Sequence, residues 1–382
     1  MADTPSPSVP AGAHFQPDGR PVDEQLAELR VKIDAVDQQM LALLNQRAQL
    51  AQAVGEVKKL DGSPVFRPDR EAQVIDRVKN ANPGPVRADS LAPIWREIMS
   101  ACRALEGRQR VAFLGPIGTF SEQAALNYFG SSIEPVVCPS IDEVFRATSA
   151  QSADFGVVPI ENSTEGVVAR SLDLLLQSPL SIVGETSLMV THNLLRKDLG
   201  REGIEVVAAH PQALAQCQGW LSQHLPQAER RAVSSNAEGA RMAAQDPRIA
   251  ALASERAASQ YGLHMVQAAV QDEAHNRTRF VIVRPQALVT APAPTGHDCI
   301  SLVVSVDNRP GAVHDLLVPL KRHGVSMSRF ESRPARSGQW EYVFFIDLAG
   351  HPVQDNVAAA LDELRAQCSF FKVLGSYPLD VH

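Results

Sequence analysis

From Leu26 onward the apolar positions fall into a 3,4 spacing: Leu26, Leu29, Ile33, Val36, Met40, Leu43, Leu50, Val54 and Val57. The pattern predicts one amphipathic helix of ~35 residues, about 50 Å long. So long a helix has too little chain around it to cover its own stripe, which predicts a partner chain. Asp61-Gly62-Ser63-Pro64 ends it. Two shorter helices are predicted over residues 70–80 and 91–105, so residues 22–107 read as an all-α unit. Ahead of them, residues 1–21 are rich in Pro, Ser, Ala and Gly without any period, and read as a disordered arm.

At Arg110 the period changes. Short apolar runs (VAFLG, FGVVPI, IEVVAA, FVIV) alternate with helical stretches such as 211–224 and 237–244, the pattern of an α/β unit over 110–285. A linker, residues 286–297, follows; the stretch PQALVTAPAPTG that opens it at Pro285 carries three prolines. The last unit, 298–382, reads strand, helix, strand, strand, helix, strand, a ferredoxin-like α+β order.

Composition narrows the function classes. Lys and Arg number 36 against 43 Asp and Glu, a net charge of −7, and no basic run exceeds a pair. Neither nucleic acid nor an anionic membrane is the expected partner. No apolar stretch approaches the ~20 residues of a membrane span, and no basic stretch leads into an apolar one as in a secretory signal. Cys102, Cys138, Cys217, Cys299 and Cys368 are scattered, without C-x-x-C or H-E-x-x-H. Reduced thiols in a cytoplasmic protein, with no metal site and no cofactor, are the expectation.

The first helix carries charges on its apolar face. Arg47 continues the stripe from Leu43, and Lys58 lies eleven residues on, ~20° around the axis. Either both side chains snorkel from the edge of a core stripe, or they meet an anion. Arg30 lies ~25 Å from Arg47 along the axis and on another face. If all three serve one small anion, Arg30 must come from a second copy of the helix.

LRVKIDAVDQQMLALLNQRAQLAQAVGEVK, VFRPDRE and IWREIMSACRALE resemble the all-α chorismate mutase family over residues 24–107. The resemblance implies an interlocked helical dimer. Arg30 of the partner chain and Arg47 would bind the two carboxylates of chorismate. Lys58 and Glu106 would face the ether oxygen whose bond breaks. Arg70 and Glu71 would complete the pocket, with Glu71 at the substrate hydroxyl. Arg67 and Cys102 stand where one member type has Asp and Ser. These residue types suit a unimolecular rearrangement: arginines grip carboxylates, and a fixed cation stabilises charge developing on oxygen.

In the α/β unit, GPIGTFSEQAA follows a strand and opens a helix. Its free N–H groups, with the hydroxyls of Thr119 and Ser121, suit a carboxylate. The same residues also make an ordinary Gly/Pro turn with a Ser N-cap. The loop is neither a Walker A loop nor G-x-G-x-x-G, which argues against nucleotides. Taken in order, GPIGTFSEQAA, VPIENSTEGVV, SIVGETSLMVTHNLL, HPQALAQC and NRTRF resemble prephenate dehydratase over residues 110–284. That family implies two periplasmic-binding-like lobes with the active site in the cleft, the second lobe at 190–265. By resemblance Thr278 is the key catalytic hydroxyl, with Arg279 and Phe280 beside it. Thr119, Glu161, Asn162, Ser163, His210, Gln212 and Gln216 would line the cleft, with His210, Glu161 or a water recharging Thr278. Ala209 stands where some members have Ser.

NRPGAVHDLL and RFESRP in the last unit resemble the ACT regulatory domain. The resemblance implies a phenylalanine effector site at a domain interface, formed by Asn308, Pro310, Gly311, Ala312, Val313, Ser328, Glu331 and Ser332. Taken together, the chain resembles the bifunctional chorismate mutase/prephenate dehydratase family: a homodimer or higher homo-oligomer that converts chorismate to prephenate and then to phenylpyruvate. Two other readings are an arogenate-preferring dehydratase, whose substrate amine needs an added anion, and a non-catalytic amino-acid sensor.

Overall fold

The computed structural model describes residues 19–61, 64–334 and 342–379. The arm expected over 1–21 lies, up to residue 18, outside the described residues, as do Gly62 and Ser63 of the expected helix break.

The periodic stretch forms a single helix, α1 (Val22–Asp61), with acidic residues in its first turn and Lys58 and Lys59 in its last. That polarity complements the helix dipole. Two shorter helices follow, α2 (Pro68–Ala81) and α3 (Ala88–Ala104). Their apolar sides meet each other and the next unit: Leu91, Met99 and Cys102 are buried. α1 is different. Val31, Ile33, Val36, Met40, Leu43, Leu50, Val54 and Val57 all lie exposed along it.

The central unit is two lobes. The first contains β1 (Arg110–Leu114), α4 (Phe120–Phe129), β2 (Glu134–Cys138), α5 (Ile141–Ser149), β3 (Phe155–Asn162), β4 (Gly166–Val167), α6 (Ala169–Gln177) and β5 (Leu180–Met189). The second contains β6 (Asn193–Arg196), β7 (Val206–Ala209), α7 (Pro211–Gln216), α8 (Gln218–His224), β8 (Glu229–Ala232), α9 (Asn236–Gln245), β9 (Ile249–Ala253), α10 (Glu255–Tyr261) and β10 (His264–Gln267). The chain then returns to the first lobe as β11 (Arg277–Pro285), which enters between β3 and β5 in the order β2-β1-β3-β11-β5. The second sheet runs β10-β6-β9-β7-β8. The central strands β1, β3, β11, β7 and β9 are buried on both faces, as their near-continuous apolar runs require, while the edge strands β2, β8 and β10 are largely exposed. The return of β11 matters for function, because it places one end of a core strand at the junction of the lobes.

The C-terminal unit follows the expected order: β12 (Asp298–Ser305), α11 (Ala312–Arg322), β13 (Met327–Pro334), β14 (Tyr342–Ala349), α12 (Asp355–Gln367) and β15 (Phe370–Pro378). Its sheet is β13-β14-β12-β15, with both helices packed on one face. The other face merges with the core of the first lobe: Cys299, Val303, Phe345, Leu374 and Tyr377 cluster with Leu172, Leu180 and Val281. Ion pairs and hydrogen bonds sew the two units together. Lys372 gives hydrogen bonds to the carbonyls of Leu175, Leu176 and Ser178 at 2.9, 3.0 and 2.9 Å, satisfying the orphan acceptors at the end of α6. Arg333 reaches Asp173 of the same helix at 3.2 Å.

Candidate active sites

β11 and β3 run antiparallel, with Thr278 opposite Asn162. At their ends the two lobes enclose a cleft of about 750 Å³. The hydrogen bonds at its floor have a direction that can be worked out donor by donor. The Asn162 Oδ1 accepts the backbone N–H groups of Thr164 and Glu165, both at 3.0 Å. The amide orientation is thereby fixed, because a backbone N–H only donates. The Asn162 Nδ2 must then donate, to Thr278 Oγ1 at 2.8 Å and to Asn276 Oδ1 at 2.7 Å. With one lone pair taken by Asn162, the Thr278 hydroxyl keeps its proton for another acceptor.

The same logic propagates. Asn276 accepts at Oδ1, so its Nδ2 donates to Gln216 Oε1 at 3.1 Å. Gln216 Oε1 lies 2.9 Å from His192 Nε2. As an acceptor only, it places the imidazole proton on Nε2. The opposite ring nitrogen, Nδ1, is buried with no hydrogen-bond partner among the described residues. His192 is 3% exposed. Burial pushes its pKa below the ordinary histidine value, against the raising pull of Gln216. A neutral imidazole with an open acceptor nitrogen thus sits at the end of an oriented amide chain from Thr278. Gln216 also donates to Glu165 Oε1 at 3.3 Å.

Helix starts from both lobes reach this cleft. Thr119 caps α4 by accepting from Glu122 N, and Ser235 caps α9 by accepting from Glu238 N. Both caps line the cleft, as do Ser121, Asn236 and Ser254. The cap of α4 is Thr119 rather than a serine, a correction to the turn expected from sequence. His210 caps α7, its Nδ1 taking the Gln212 N–H at 3.3 Å. No lysine or arginine lines the cleft among the described residues, and Glu165 is its one carboxylate. An anion here would meet N–H groups, hydroxyls and two positive helix ends.

The expected lining is therefore partly redrawn. Thr119, Asn162, His210, Gln212, Gln216 and Thr278 reach the cleft. Glu161 does not line it. Alternation along β3 turns its side chain to the other face, where Arg329 of β13 pairs with it at 3.0 Å. Ser163 instead ties backbone to backbone, accepting from Arg277 N at 2.8 Å and donating to His275 O at 3.1 Å. Arg279 points away from the cleft into the C-terminal unit, bonding Asp347 Oδ2 at 2.7 Å and pairing with Glu185. Burial alone would lower the Arg279 guanidinium, but Asp347, Tyr377 and Glu185 outweigh it and hold it above its ordinary value. Phe280 is core, 2% exposed among Phe66, Phe113 and Phe155. His192, Glu165 and Asn276 were not singled out from sequence. Each sits inside a motif read from the sequence, THNLL, ENSTEG or NRTRF, and in the last two a neighbouring residue was the expected site member.

In the helical unit, α1 and the end of α3 bring four residues to one groove. Arg47 bonds the Cys102 sulfur at 2.9 Å. Lys58 Nζ donates to Val65 O at 3.0 Å and stands 3.9 Å from Glu106 Oε2. That oxygen is buried without a hydrogen-bond partner among the described residues. Glu71 is tied to Arg103. Burial raises its carboxyl, and the opposing pull of Arg103 does not cancel that. Arg67 is not free for a ligand: it pairs with Asp69 at 2.6 Å, while Ala293 N of the linker bonds the same carboxylate at 3.0 Å. Arg70 and Arg30 lie exposed, and α1 carries Arg30 toward its opposite end. Within one chain the cation set is incomplete.

In the C-terminal unit, Asn308, Gly311, Ala312 and Val313 line a hollow of about 250 Å³ with Tyr342 and Phe344. Pro310 is exposed in the same loop and does not line it. Glu331, Ser332 and Ser328 lie apart from that hollow on β13, an edge strand. Ser328 Oγ donates to Asp347 O at 3.3 Å. Ser332 pairs in register with Phe344.

Comparison with known proteins agrees with this division. Family models match residues 29–107 (chorismate mutase type II), 111–287 (prephenate dehydratase) and 300–366 (ACT domain). A bifunctional chorismate mutase/prephenate dehydratase of Neisseria gonorrhoeae is 47% identical over 363 residues, covering 94% of this chain and 99% of that one. A prephenate dehydratase of Arthrobacter aurescens, solved in complex with L-Phe, superposes with a TM-score of 0.65 at 33% identity, covering 70% of this chain and 89% of that one. A solved protein described as a quorum quenching acylase, GqqA, superposes at 0.66 with 29% identity, covering 71% and 98%.

Proposed function

The chain belongs to the family of bifunctional chorismate mutase/prephenate dehydratases, and from that premise we propose how its residues divide the work. The enzyme rearranges chorismate to prephenate in the helical unit and turns prephenate into phenylpyruvate in the two-lobed unit, with feedback by phenylalanine through the ACT unit. The domains are residues 22–107, 110–285 and 298–382, joined by the linker at 286–297.

In the mutase, Arg47 and the partner's Arg30 would hold the two carboxylates in a compact reactive conformer, and Lys58 and Glu106 would face the ether oxygen. The exposed apolar stripe of α1 and the incomplete cation set both support a homodimer. The step breaks one C–O bond and forms one C–C bond within a single molecule. Its barrier falls mainly through positioning and fixed charge.

In the dehydratase, prephenate loses carbon dioxide and hydroxide as its ring becomes aromatic. Electrons of the breaking C–CO₂ bond move into the ring and expel the hydroxyl. Thr278 serves as the donor to that leaving oxygen. The observation carrying this role is the Asn162–Thr278 hydrogen bond, which occupies an acceptor site of the hydroxyl and leaves its proton available. The helix starts at Thr119 and Ser235 suit the two carboxylates of the substrate. Prephenate fits this cleft better than arogenate, because the single lining carboxylate, Glu165, is already held by Gln216. Neither step requires a cofactor. A cytoplasmic location fits a chain in which no described helix is long and apolar enough to cross a membrane.

Chorismate turnover tests this reading. The purified protein should deliver phenylpyruvate from chorismate, and phenylalanine should slow the second step more than the first. Binding of phenylalanine without any turnover would favour the sensor.

A further inference from the structure

Gly55 lies in the interior of α1, where glycine is a poor choice for helix stability. No turn or positive φ requires it there. What occupies the space of its missing side chain is Glu106. A Cβ on Gly55 would stand 2.7 Å from Glu106 Cγ, 2.9 Å from Cδ and 2.9 Å from Oε2. These are the methylene and carboxyl atoms of one side chain, packed flat against the helix backbone. The Glu106 side chain is 7% exposed, and its Oε2 is the buried oxygen that lacks a partner and stands 3.9 Å from Lys58 Nζ. Gly55 and Lys58 are three residues apart, so they share one face of α1 one turn from each other.

We propose that Gly55 is a positioning residue for the mutase step: its bare backbone forms the notch that holds the Glu106 carboxyl beside Lys58, with one oxygen turned to the substrate. The inference rests on the mutase reading of this groove. A methyl group at position 55 is accommodated only if the Glu106 side chain shifts, because it would meet the Cγ, Cδ and Oε2 atoms together. The carboxyl must move outward, away from the Lys58 ammonium. The substrate's ether oxygen gains negative charge only in the transition state, and the Glu106 carboxyl assists it as a proton-bearing donor beside the Lys58 ammonium, so displacing Glu106 should lower kcat and leave KM nearly unchanged.

A double-mutant cycle tests this in the full-length protein. Gly55→Ala should lower mutase kcat about 10²-fold, with KM within about twofold and turnover of added prephenate at the wild-type rate. Thermal unfolding should occur no earlier than in the wild type, since alanine favours the helix. In a Glu106→Ala background, which empties the notch, Gly55→Ala should cost nothing further. Full mutase activity in Gly55→Ala would overturn the proposal. So would an equal loss from Gly55→Ala with and without Glu106, which would make its effect independent of that side chain. A wild-type protein that turns over prephenate but never chorismate would instead sink the mutase reading itself.

Discussion

Thr278 and Arg279 are consecutive on β11 and serve opposite faces of it. Thr278 accepts a hydrogen bond from Asn162 at the cleft, while Arg279 bonds Asp347 of the ACT unit at 2.7 Å. The same division recurs across the ladder, where Asn162 faces the cleft and Glu161 pairs with Arg329. The Thr278 hydroxyl and the amide that orients it are thus each one peptide away from a salt bridge to the C-terminal unit. Arg279→Met should leave Asp347 and Glu185 buried without their cation, a loss of about 3 kcal/mol or more. Denaturant unfolding should show it. Inhibition by phenylalanine should weaken more than basal dehydratase activity; unchanged inhibition in a folded variant would mean that this contact carries no signal.

Acid should weaken the two-lobed unit through His192. Its pKa is lowered in the folded protein by burial, so below about 6.5 the unfolded chain takes up a proton that the native state resists. The stabilisation is whole above that pH and declines as pH falls toward the depressed folded value. Unfolding midpoints measured from pH 7.5 to 5 should fall, and His192→Asn should flatten the decline. A variant with the same slope as wild type would assign the acid sensitivity to another group.

The mutase pocket should assemble between chains. Arg30→Ala and Lys58→Ala homodimers should each be inactive. Mixed after partial denaturation, they should regain up to about a quarter of wild-type mutase activity, because a heterodimer keeps one intact pocket of two and forms about half of a random mixture. Verified heterodimers without activity would contradict the shared pocket.

Much of this was legible in the chain, for identifiable reasons. The 3,4 spacing of α1 and the strand–helix alternation after Arg110 report burial directly, and the structure follows both closely. The stripe of α1 also announced its own incompleteness: the residues predicted to need a partner are the ones left exposed. Side-chain direction was harder to read. Glu161 and Arg279 belong to the motifs that mark the cleft, yet strand alternation sends them to the other side, into contacts with residues 329 and 347 that no local pattern connects to them. His192 was hidden for the opposite reason. It becomes part of the site only through Gln216 and Asn276, which the fold brings from 24 residues along the chain and from the far side of the second lobe. Nothing in the sequence marks Gly55, because the side chain that fills its space, Glu106, lies 51 residues along the chain.

The central claim is that one chain performs two successive reactions at separate sites, and Thr278→Ala tests it most directly. Supplied with chorismate, this variant should make prephenate at the wild-type rate and release phenylpyruvate at least about 10²-fold more slowly, so that prephenate accumulates. Following both products in one time course decides the matter. Parallel loss of both activities in a folded protein, or undiminished phenylpyruvate, would contradict the account.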